Sequence, residues 1–84
     1  MSNGDMIFKW LQKCNKNAHK PDLHSFKAKI KDGVVWVDCR GYEVFIESYT
    51  FDNGNEIRTQ WAGTIVAAAN RLEALEMDFH SIDM

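Results

Sequence analysis

Few residues in this chain of 84 have the type and spacing to do chemistry. Cys14, His19, His24 and Cys39 supply two sulfurs and two ring nitrogens, the donor set of tetrahedral zinc. Cys14, His19 and His24 are separated by four residues at each step, which is not the tight Cys-x₂-Cys knuckle that places two ligands on one turn. Zinc is therefore kept only as a minor alternative, and both thiols are expected to be buried, reduced and free of metal. A thiolate pair of Cys14 with His19 or His24 is disfavoured too, because Cys14 falls on an apolar stripe where burial raises the thiol pKa. Ser2, Ser25, Ser48 and Ser81 lack a Gly-x-Ser-x-Gly elbow, and no glycine-rich phosphate loop is present. Glu43 and Glu47, four apart on an expected strand, stand about 13 Å from one another, too far for paired acid–base work. Glu73 and Glu76 are expected a turn apart on the last helix, as a solvated acidic face. The sequence thus points to no enzyme, no cofactor and no bound metal.

Composition narrows the class further. An apolar fraction of 45% and a charged fraction of 26% are those of a globular chain. Ten Lys and Arg against twelve Asp and Glu leave a net charge of −2, which argues against a general nucleic-acid binder. The charge is uneven: residues 1–41 carry eight basic and four acidic residues, residues 42–84 two and eight. Such a dipole can orient a partner during encounter. No basic leader followed by an apolar run is read at Met1-Ser2-Asn3-Gly4-Asp5, and the stretch Trp61 to Ala69 is too short to cross a bilayer. One cytoplasmic domain over residues 1–84, without a membrane partner, is expected.

Periodicity supplies the elements that must position any site. Met6, Ile7, Trp10, Leu11 and Cys14 form one stripe of a helix over residues 5–18, which Pro21 keeps from continuing. Phe26, Ala28 and Ile30 alternate with Lys27, Lys29 and Lys31, a period of two. A two-residue turn at Asp32-Gly33 would set Ile30 against Val35, Ala28 against Val37 and Phe26 against Cys39. Arg40-Gly41 is the next expected turn; a tight loop there places Trp36 opposite Phe45, but also Asp38 beside Glu43, which is repulsive. Asn53-Gly54 is a strong hairpin signal that pairs Thr50 with Ile57, Ser48 with Thr59 and Ile46 with Trp61. Thr64 caps a last helix over residues 64–80, whose stripe is Ile65, Ala68, Leu72, Leu75, Phe79 and Ile82. The expected fold class is α+β: a helix, a four-stranded antiparallel meander and a helix, with both helices packed on one face of the sheet. This order is similar to that of double-stranded-RNA-binding domains, which run helix, three strands, helix. Their phosphate-gripping lysines have no counterpart at Thr64-Ile65-Val66-Ala67-Ala68-Ala69, and no property of that family is carried over.

If the helices take one face, the other holds Val34, Trp36, Phe45, Tyr49 and Phe51 among Lys27, Lys29, Lys31 and Arg58. Exposed apolar patches mark interaction sites, and Trp, Tyr and Arg dominate binding hot spots. The expected function is a non-catalytic module that binds a protein, either another copy (a homodimer) or a larger target. A stoichiometric inhibitor of phage or mobile-element type is one concrete version. The partner-binding residues are Trp36, Phe45, Tyr49, Phe51, Lys29 and Arg58, with Glu73 and Glu76 as a second contact toward a basic partner. The alternative is a sheet module for single-stranded nucleic acid, since aromatic rings flanked by lysines suit base stacking with phosphate contact.

Overall fold

A computed structural model describes residues 3–16, 25–40 and 43–83. The elements run α1 (Asn3–Lys16), β1 (Ser25–Ile30), β2 (Gly33–Arg40), β3 (Glu43–Asp52), β4 (Asn55–Gly63), α2 (Ile65–Ala74) and a 3₁₀ turn at Phe79–Ser81. The four strands form one antiparallel sheet in the order β1-β2-β3-β4. The chain is a small α+β fold, and among the described residues no helix is long and apolar enough to cross a membrane.

α1 buries Ile7, Leu11 and Cys14, at steps of four and three, with Asp5 in its first turn facing the positive end of the helix dipole. α1 already includes Asn3, two residues before its expected start, and residues 17 and 18 of the expected helix, like Pro21, fall outside the described residues. In the sheet, burial alternates: Phe26, Ala28, Ile30, Val35, Val37, Cys39, Val44, Ile46 and Ser48 are buried, and their neighbours point the other way. The apolar ones among these form one core with Ile7, Leu11 and Cys14 of α1, with Ala68, Ala69 and Leu72 of α2, and with Met77.

Two of the three expected registers are corrected, each by two residues. The first loop is Lys31-Asp32, so Ile30 pairs with Gly33, Ala28 with Val35 and Phe26 with Val37. Gly33 is thus the first residue of β2 and takes no positive φ. Its value is close approach: a Cβ there would lie 1.9 Å from the Tyr49 carbonyl oxygen. In the second hairpin Arg40 pairs with Glu43, Cys39 with Val44, Asp38 with Phe45 and Trp36 with Glu47, so Trp36 does not stand opposite Phe45. The observed register removes the Asp38–Glu43 clash: Arg40 stands across from Glu43 and its Nε donates to Asp38 Oδ2 at 2.8 Å. The third hairpin pairs as expected, from Asp52–Asn55 to Val44–Gly63. Asn53 (φ 51°) and Gly54 (φ 82°) make its tight turn. A two-residue shift preserves the face of every side chain, so the split into two faces survives both corrections.

Thr64 caps α2 as expected, its hydroxyl accepting from Ala67 N at 3.2 Å. The helix ends at Ala74 rather than continuing to 80. Glu76 takes a left-handed conformation (φ 55°), Glu76 N donates to Glu73 O and Met77 N to Leu72 O, both at 3.0 Å. This is a Schellman stop, and Met77 and Leu72 are both buried in the same core. The chain then runs along the outer edge of β1. Lys31 N donates to Leu75 O (3.2 Å), Asp78 N to Lys29 O (2.9 Å) and Lys29 N to Ser81 Oγ (2.7 Å), and Asp83 bridges Lys27. Phe79, expected on the helix stripe, instead meets the edge of Trp10, whose ring is also edge-on to Phe26.

Candidate functional site

The side chains that the sheet turns away from its core form the candidate site. Trp36 is 49% exposed, Phe45 36% and Phe51 66%. Trp36 and Phe45 are diagonal neighbours, separated by the cross-strand partners Glu47 and Asp38. Together with Arg40, Gln60 and Ala62 these residues line an open concavity of about 680 Å³.

Trp36 and Phe45 each have a cation beside the ring. Lys27 Nζ lies 5.6 Å from the Trp36 ring centre, and the Arg40 guanidinium 5.1 Å from that of Phe45. Register explains both: Lys27 is the β1 partner of Trp36, and the Arg40–Glu43 pairing brings Arg40 alongside Phe45.

Glu47 is the polar centre of the face. The Tyr49 hydroxyl donates to its Oε1, while Arg58 Nη2 (3.1 Å) and Gln60 Nε2 (3.0 Å) donate to Oε2. Arg58 and Gln60 tie β4 to β3 through this carboxylate, and with Tyr49 they hold the floor beside Trp36 in one geometry.

The sequence-predicted residues are thus only partly gathered. Trp36 and Phe45 share the concavity, and Tyr49 and Arg58 meet at Glu47 beside it. Phe51 lies six positions along β3 from Phe45, about 20 Å by strand rise, next to the Asn53-Gly54 turn. Lys29 is exposed on the same face, across from Val34. Glu73 sits on α2 near the start of α1, with its carboxylate where a Cβ on Gly4 would fall. Glu76 lies beyond the end of α2, with its Oε2 3.6 Å from Lys31 Nζ. The expected acidic pair is therefore not on one helix face. The sequence reading overlooked Arg40, placed in a turn, and the hub role of Glu47. The predicted Asp38–Glu43 repulsion was the signal for the first, and for the second it was the Asn53-Gly54 register, which sets Glu47 against Gln60 and Tyr49 against Arg58.

The two cysteines meet within the core, where both are free thiols. Cys39 donates to Cys14, which pulls the Cys14 thiol below its usual value; the same bond, reinforced by burial, pushes that of Cys39 well above. His19 and His24 of the expected zinc set lie outside the described residues. Among the described residues no three His, Cys, Asp or Glu side chains gather where they could hold a metal ion. Comparison of the chain with protein-family models, with curated proteins and with solved structures gives no match in any of the three.

Proposed function

We propose that the chain is a non-catalytic interaction module that binds a protein target through the exposed sheet face, with both helices packed on the opposite face. The observation that carries the reading is the exposure of Trp36 and Phe45 around one open concavity. Large aromatic side chains left in water at the rim of a hollow are the usual anchors of an interface, because covering them releases most of the available apolar energy. Lys27 and Lys29 border the rings on the β1 side. The partner chemistry that fits is an apolar protrusion flanked by carboxylates. Such a module acts by occluding its target stoichiometrically.

The test is capture of the target from source lysate by the wild-type chain and by the Trp36→Ala, Phe45→Ala double variant. Loss of a hot-spot aromatic costs about 2 kcal/mol or more, some thirtyfold in affinity, while circular dichroism should show an unchanged fold. Undiminished capture by a folded double variant would overturn the reading.

A second reading is favoured by one observation: the cations beside both rings, which suit a stacked base and its phosphate. The net charge of −2 opposes it. Affinity for single-stranded oligonucleotides that falls steeply with salt would select this reading, whereas apolar protein contacts resist salt.

A further inference from the structure

We propose that β4 is a self-pairing edge: two copies of this chain join β4 to β4, antiparallel, about a two-fold axis at Thr59. The proposal rests on the strand's backbone and is independent of the aromatic face.

The two edges of the sheet differ. β1 is closed by the segment that follows α2. On β4, the two-residue turn makes Asp52 and Asn55 the closing hydrogen-bonded pair. Ile57, Thr59 and Trp61 therefore direct their backbone groups toward β3, and Glu56, Arg58, Gln60 and Ala62 direct theirs outward. Among the described residues, no backbone hydrogen bond from another element reaches those four. Exposed edges are ordinarily blunted by short length, proline, a bulge or an inward-pointing charge. β4 has 9 residues, no proline and an unbroken register with β3. On the core side it carries only Ile57, Thr59 and Trp61 between its ends, none of them charged.

The sequence of β4 is complementary to itself. With Thr59 on the axis the whole strand overlaps its copy. Arg58 then meets the partner's Gln60 and Glu56 meets the partner's Ala62, each pair exchanging both backbone hydrogen bonds. Ile57 meets the partner's Trp61 on the core-side face. No like charges oppose one another. An axis at Arg58 would bring two guanidinium groups face to face, an axis at Gln60 would leave Ile57 opposite Gly63, and larger shifts shorten the overlap. Ile57 is 44% exposed and Trp61 only half-buried, so the pairing covers apolar surface that one copy leaves in water.

The test is sedimentation equilibrium of the full chain from about 10 μM to 1 mM, the range in which a modest edge contact dissociates. A monomer–dimer equilibrium is expected, with amide-exchange protection at Glu56, Arg58, Gln60 and Ala62 rising with concentration. Thr59→Lys sets two ammonium groups across the axis and should weaken the dimer at least about tenfold. Mixing it with Thr59→Glu should restore a heterodimer. A chain monomeric throughout, or a dimer insensitive to Thr59→Lys, overturns the proposal. So does a dimer lost in Trp36→Ala but kept in Thr59→Lys. Should a Thr59 variant fail to fold, exchange in the wild-type chain decides: concentration-dependent protection that spares those four amides overturns it equally.

Discussion

Lys27 and Asp83 exchange both of their backbone hydrogen bonds, at 2.8 Å in each direction, so residues far apart in sequence meet as neighbouring strands. This bridge anchors the segment that covers β1 and places Phe79 against Trp10. Truncation after Met77 should cost about 3 kcal/mol or more, since it removes several edge hydrogen bonds and an aromatic contact at once. Urea denaturation measures the loss, and the Lys27 and Lys29 amides should turn fast-exchanging. Slow exchange there in the truncated chain would contradict the edge-closing role.

Leu72 is fully buried on the α2 stripe and shares the core with Met77. Leu72→Ala should destabilise by about 2–5 kcal/mol in denaturant titration. A loss below about 1 kcal/mol would mean that this part of the core tolerates a cavity.

Gly33 and Gly54 should respond differently to alanine. At Gly33 the added carbon would strike the backbone of Tyr49, so β2 and β3 must separate, at a cost of about 2 kcal/mol or more. At Gly54 nothing lies within 4 Å and only the positive φ resists, at about 1 kcal/mol. Thermal or urea unfolding of the two variants ranks them; the reverse order would refute the close-approach argument.

Glu76→Gly should stabilise the protein by about 0.5–1 kcal/mol, because glycine adopts the left-handed conformation without penalty. The ion pair lost with Lys31 is exposed on both sides and contributes little. A fall in the urea midpoint would show that the glutamate side chain matters more than its backbone conformation.

Cys14 and Cys39 should react with a thiol reagent about a hundredfold or more slowly in the folded chain than in urea, through opening of the core. Cys14 should react first, because accepting from Cys39 favours its thiolate, whereas donation and burial keep the Cys39 proton in place. Peptide mapping of a partly labelled sample decides the order.

Much of the sheet was legible because its signals are local. Asn53-Gly54 defines one register outright, and alternation assigns faces that survive the two-residue corrections of the others. The exposure of Trp36 and Phe45 follows from that parity alone. What escaped was encoded non-locally. Gly33 looks like a turn glycine because the Tyr49 carbonyl that requires it lies on another strand. The end of α2 was hidden because its left-handed residue is Glu76 and not glycine, and because Leu75, Phe79 and Ile82 keep a helical spacing while packing outside the helix. Arg40 and Glu47 gained their places at the site from the same register shift and cross-strand network.

The closure of β1 has a consequence for how the chain folds. Lys29 waits for Ser81, 52 residues later, whereas β3 and β4 need only their own turn. During folding the β3–β4 hairpin can therefore assemble while β1 still lacks the segment that seals it. Over that interval the chain exposes both sheet edges instead of one, and its lysine-bearing first strand is open to the addition of a misplaced strand.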